Sequence, residues 1–158
     1  MAERLAGVKK YDDNMVMVDY YQTVEDLIVR IDCMTLDQVA TFHEIFTKLS
    51  QTPGFTIDLV QSPNVVPFWM SAFVLSALPG NMPTYRRLAV EAKERKIRWR
   101  MNSFEWDMTA GLIRAILDGR QPGHQYLGVV DEDIEEDRND ALVMFAYQER
   151  SDVFRTGC

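Results

Sequence analysis

The stretch Val65-Val66-Pro67-Phe68-Trp69-Met70-Ser71-Ala72-Phe73-Val74-Leu75-Ser76-Ala77-Leu78 is the most apolar run in the chain, and its reading decides the fold. It is shorter than the roughly 20 residues a membrane-spanning helix needs, and it contains Pro67. It therefore reads as a buried helix, closed by Pro79-Gly80.

Upstream of this run, Phe55 to Val60 reads as a strand ended by Ser62-Pro63. Pro53-Gly54 stops an earlier helix whose apolar residues Leu36, Val39, Ala40, Phe42, Ile45, Phe46 and Leu49 recur at spacings of three and four. Thr35-Leu36-Asp37-Gln38 opens that helix with a capping box, in which the Thr35 hydroxyl and the Gln38 amide satisfy first-turn backbone groups. Leu27 to Asp32, short and β-branched, is the strand before it. Downstream, Pro83 suits the first turn of a helix that runs to about Lys96. Ile97 to Met101 alternates as a strand. Ser103 caps a helix carrying Met108, Leu112, Ile113, Ile116 and Leu117, which Gly119 terminates. Tyr126 to Val130 and Leu142 to Ala146 are two further strand candidates.

This alternation predicts an α/β fold, a single domain with a mostly parallel five-stranded sheet flanked by helices. The competing reading is all-α, because Val24, Leu27, Ile28, Ile31, Met34, Gln38 and Phe42 also fit one helical repeat. Residues 1–26 are assigned to an N-terminal extension with a strand candidate at Met15 to Val18, residues 27–150 to the domain, and 151–158 to a flexible tail. No internal repeat is visible.

With 158 residues, 47% of them hydrophobic, the chain is the size of one domain and can bury a core without disulfides. Its two cysteines, Cys33 and Cys158, make no disulfide framework, and the opening MAERLAGVKKYDD is polar. Both features lead to the expectation of a reduced, cytoplasmic protein without a membrane association. The net charge of -7 argues against nucleic acid as a partner.

Motifs for nucleotide chemistry are absent: there is neither a GxGxxG nor a GxxxxGK[ST]. His43-Glu44 lacks the second histidine of a zinc helix. The acidic run Asp131 to Asp140 has Glu136 and Leu142 where a calcium loop needs glycine and glutamate, and it reads as a solvated helix. No metal and no cofactor are expected. Arg86 to Arg100 holds seven basic residues against Glu91 and Glu94. Strand alternation puts Trp99 on the opposite face from Arg98 and Arg100, so a protein-docking patch fits better than a base-stacking one. Cys33 ends the first strand just before a helix N-terminus, where a thiolate gains stabilisation; it is the candidate nucleophile or persulfide carrier, set against a plain buried residue. Cys158 is the second candidate, as a mobile thiol.

The segment Ala92-Lys93-Glu94-Arg95-Lys96-Ile97-Arg98-Trp99-Arg100-Met101-Asn102-Ser103-Phe104-Glu105-Trp106-Asp107 resembles a stretch of the DsrE/DsrF-like family of small sulfur-relay proteins. Thr35 to Gln38 and Leu78-Pro79-Gly80 agree more loosely, and the resemblance spans roughly residues 27 to 147. It implies a sulfur carrier, or a non-catalytic supporting subunit of a sulfurtransferase complex, and a homo-oligomer, a trimer or hexamer. The family's loop cysteine is replaced here by Asn102, which cannot form a persulfide. Sulfur chemistry would then rest on Cys33 or Cys158, with Asn102 and Ser103 lining the same sheet edge. The rival expectation is a non-enzymatic protein-binding or regulatory module, of viral or mobile-element origin, acting through segregated basic and acidic surfaces.

Overall fold

The computed structural model describes residues 15–22, 27–80, 88–127 and 142–148. They form nine strands and two α-helices in the order β1 (Val16–Gln22), β2 (Leu27–Cys33), α1 (Leu36–Gln51), β3 (Thr56–Asp58), a short 3-10 helix (Leu59–Gln61), β4 (Val65–Pro67), β5 (Ala72–Leu78), β6 (Leu88–Glu91), β7 (Lys96–Asn102), α2 (Ser103–Gly119), β8 (Gly123–Leu127) and β9 (Leu142–Tyr147). The α/β expectation holds and the all-α alternative does not. The single, mostly parallel sheet is corrected: there are two mixed sheets, β4-β1-β2-β9-β8 and β3-β5-β7-β6.

The run that decided the sequence reading is not a helix. Val65 to Pro67 form β4, paired in parallel with β1, and Ala72 to Leu78 form β5, between β3 and β7. Proline lacks the N–H a helix interior requires, and it is tolerated at the sheet edge that β4 occupies. In β5 the burial alternates, with Phe73, Leu75 and Ala77 inward. The outward Ala72, Val74 and Leu78 are also apolar, which hides the period of two. The predicted helix from Pro83 to Lys96 is corrected as well. Leu88 to Glu91 is a strand, joined to β7 by a tight turn in which Arg95 takes a left-handed φ of 54°. Residues 16–22, assigned by sequence to an extension, are a full antiparallel partner of β2.

The topology contains a repeat that the residues conceal. Each half of the chain runs hairpin, helix, antiparallel strand pair: β1-β2, α1, β3 with β5, then β6-β7, α2, β8 with β9. The halves exchange strands. β9 lies parallel to β2, and β5 lies parallel to β7, so each sheet needs both halves. Helix burial repeats too: Gln38, Val39, Phe42, Phe46 and Leu49 of α1 correspond to Glu105, Trp106, Thr109, Ile113 and Ile116 of α2, each 67 positions on (38 to 105, 49 to 116). None of the five pairs is identical, so no repeat is seen in the letters.

Phe46 sits where the layers meet. Its ring lies 5.8 Å from that of Trp106 in α2, 5.7 Å from Trp99 in one sheet and 6.4 Å from Phe145 in the other. Trp106 further ties α2 to β5 by donating its indole N–H to the Ser76 carbonyl at 3.0 Å. Among the described residues no helix is long and apolar enough to cross a membrane.

Candidate interaction surface

Both helices begin with reciprocal caps. In α1 the Thr35 hydroxyl accepts from Gln38 N at 3.2 Å, while Gln38 Oε1 accepts from the backbone N–H groups of Met34 and Thr35. In α2 the cap is Asn102, one residue earlier than Ser103: its Oδ1 accepts from Glu105 N at 2.9 Å and its own N–H donates to Glu105 Oε1 at 3.0 Å. Asn102 is therefore a buried structural cap. Ser103 is the half-buried first residue of the helix.

Cys33 and Asn102 end strands of different sheets, so they do not line a common sheet edge as the resemblance implied. Cys33 is fully buried. Burial pushes its thiol well above the usual range, and the neighbouring Asp32 carboxylate adds to the effect. This is the reverse of a helix-stabilised thiolate. Asp32 is itself raised by burial, against the pull of Arg30, whose Nε lies 2.8 Å from Asp32 Oδ1, and with repulsion from Asp19 adding to the rise. Cys158 and the acidic run 131–140 lie outside the described residues.

The alternation expected for β7 is found: Ile97, Trp99 and Met101 point inward, and Lys96, Arg98 and Arg100 outward. Arg98 is held by Glu91 at 2.8 Å, but both are about two-fifths exposed, which makes the pair worth at most about 1 kcal/mol. Arg100 lies beside Ser76 across the sheet, and its Nε has no hydrogen-bond partner.

A cleft of about 250 Å³ opens at the N-terminus of α1, lined by Asp37, Gln38 and Thr41 together with Leu59, Asn64 and Val65. It is smaller than the roughly 300–1,000 Å³ of usual ligand sites, and the capping box already occupies the Gln38 amide at that helix end.

The solvent face of α2 is a different matter. Phe104, Met108 and Leu112 follow one another at intervals of four and are 67%, 58% and 38% exposed. Gly111, Ala115 and Gly119 are exposed on the same side and complete an uncharged stripe, flanked by the exposed Asp107, Arg114 and Asp118. The sequence places Met108 and Leu112 on one helix with Ile113 and Ile116 without separating its faces; of these four, Ile113 and Ile116 point inward. The signal was present, because a helix apolar on two faces has more apolar surface than one core contact can bury.

The chain supplies its own control for this face. At the matching positions α1 carries Asp37 for Phe104, Thr41 for Met108, Glu44 for Gly111 and Lys48 for Ala115, all exposed, and the half-buried Ile45 for Leu112. Two helices with the same inward role thus differ along this stripe, polar at four matching positions of α1 and apolar in α2. Gly111 sharpens the contrast. A glycine within a helix costs about 0.5–1 kcal/mol relative to alanine. A Cβ added at Gly111 would meet nothing within 4 Å, so nothing within the fold requires the glycine.

No family model matches the sequence, and no curated protein or solved structure matches it either. The resemblance to the DsrE/DsrF-like family thus rests on the residues quoted for it alone.

Proposed function

We propose that this chain is a non-enzymatic protein-binding module and that α2 presents its binding face. The observation that supports the reading is the contrast between the helices: three large apolar side chains and three small residues face water on α2, where the matching α1 positions are polar but for the half-buried Ile45. Contiguous exposed apolar surface on a water-soluble domain marks a contact site. A lipid surface fits it less well. Interfacial helices carry lysine and arginine beside the apolar face, whereas the flank of α2 holds Asp107 and Asp118 with Arg114 as its basic residue. A supporting subunit of a sulfurtransferase complex, as the resemblance implies, is one setting for such a module. A sulfur carrier is the alternative reading, and the burial of Cys33 opposes it.

Two double variants separate these readings in any assay of the protein's effect in its own cell. Cys33→Ala/Cys158→Ser is expected to keep that effect, with alanine at 33 chosen so that no hydroxyl is buried. Met108→Glu/Leu112→Glu is expected to lose it while retaining a wild-type circular dichroism spectrum and melting temperature. The opposite pattern would overturn the binding reading in favour of a thiol function.

A further inference from the structure

Taking α2 as the binding face, we propose that its occupant is a second copy of this chain, with the two α2 helices packed antiparallel about a two-fold axis that passes between Gly111 and Leu112. The inference rests on the preceding reading and on the order of side chains along the stripe. Its large residues lie in the N-terminal half and its small ones in the C-terminal half. Positions equidistant from the Gly111/Leu112 midpoint pair large with small at Met108 with Ala115 and at Phe104 with Gly119, while Leu112, beside the axis, meets its own copy. An isologous contact sets each residue against the residue reflected through the axis, so the surface must be complementary to itself. This one is.

Asp107, Arg114 and Asp118 lie along one flank of the stripe, and a two-fold axis normal to the helices sets that flank against its own copy. Arg114 and Asp118 of each copy both come within about one helical turn of Asp107 of the other, so the flank adds no net attraction and the apolar stripe carries the contact. Within one chain Arg114 Nε lies 3.1 Å from Asp118 Oδ1, in an exposed pair that rearranges at little cost. The small half provides the room, because an added Cβ at Gly111 or Gly119 would meet nothing within 4 Å. The backbones can therefore approach toward the short end of the usual 8–10 Å helix separation.

The stripe from Phe104 to Gly119 is about 22 Å long. A helix pair of that length buries on the order of 1,000 Å², the low end for a specific contact, so the affinity should be micromolar rather than nanomolar. Light scattering or sedimentation on a dilution series of the full chain is the test. At about 100 μM the wild type should approach twice its 18.3 kDa mass and fall toward 18.3 kDa on dilution. Met108→Glu should weaken association at least about tenfold. Met108→Ala and Ala115→Met should each weaken it, and the double variant should recover most of the loss, because the exchange restores large against small across the axis. Every substituted position is exposed, so folding is not at stake.

A wild type monomeric up to about 100 μM, a dimer indifferent to Met108→Glu, or a double variant no better than its parents would each overturn the second copy as the occupant. If Met108→Glu/Leu112→Glu still abolishes the cellular effect in that case, the binding face stands and its occupant is another protein; if it does not, both readings fall.

Discussion

Replacing Phe46 with alanine is expected to lower the free energy of unfolding by about 3–5 kcal/mol and the melting temperature by roughly 10 °C. The effect is large because, among the described residues, Phe46 is the one ring with ring contacts to both sheets and to α2. Its neighbours are Trp99, Trp106, Phe145 and, along its own helix, Phe42 at 5.8 Å. Removing it forfeits the transfer free energy of the ring and leaves a void among rigid aromatics, which cannot collapse into it as flexible side chains would. The strand exchange adds to the cost, since neither sheet is complete within one half of the chain and a defect at the junction loosens both. Phe68→Ala is the control: that ring is 44% exposed, and its loss should cost well under 1 kcal/mol. Thermal and denaturant unfolding measure both. A Phe46→Ala cost below about 1 kcal/mol would mean that the helices and sheets do not share a core.

The second large effect concerns the thiol. In a Cys158→Ser background, Cys33 should react with a thiol reagent at pH 8 at least about 10³-fold more slowly in the folded protein than in denaturant. It is fully buried, and attack must wait for an opening whose free energy approaches that of unfolding. The direction of its pKa works the same way: the buried thiol resists ionisation, while the unfolded one ionises in its ordinary range and supplies the reactive thiolate. Labelling of the folded protein at a rate close to the unfolded one would return Cys33 to the list of functional nucleophiles.

Some of this architecture could be read from the chain because its determinants are local. The capping box at Thr35, the helix start at Ser103, one residue after its true cap Asn102, the alternation of Ile97 to Met101 and the β-branched run before Cys33 place both helices and two central strands within a residue or two. What could not be read depends on partners far away in sequence. Val65 to Leu78 is apolar at nearly every position, so neither period stands out, and only the neighbours β1, β3 and β7 settle it as strand. The β6-β7 turn has no glycine to announce it, since Arg95 takes the left-handed conformation itself. The exchange of β5 and β9 sets Ile28 beside Leu142, a pairing that no local window contains.

The candidate site divides in the same manner. Arg98 and Arg100 lie on the outward face that strand periodicity assigned them. Cys33 was given chemistry because it ends a strand before a helix, and Asn102 because the resemblance sets it at the family's cysteine position, but depth matters as much as position: one is sealed in the core and the other is occupied as a cap. The face of α2 was missed for the opposite reason. The apolar residues of that helix were read together without separating its faces, and burial shows that Phe104, Met108 and Leu112 face water.

The most direct measurement places a photo-crosslinking amino acid at Met108 and, separately, at Thr41, the matching position on α1, and compares adducts formed in the cell. A strong adduct from position 108, at twice the chain mass, with little or none from position 41 is the expected result. Equal yields from the two helices, or no adduct from position 108, would contradict the assignment of α2 as the face through which this protein acts.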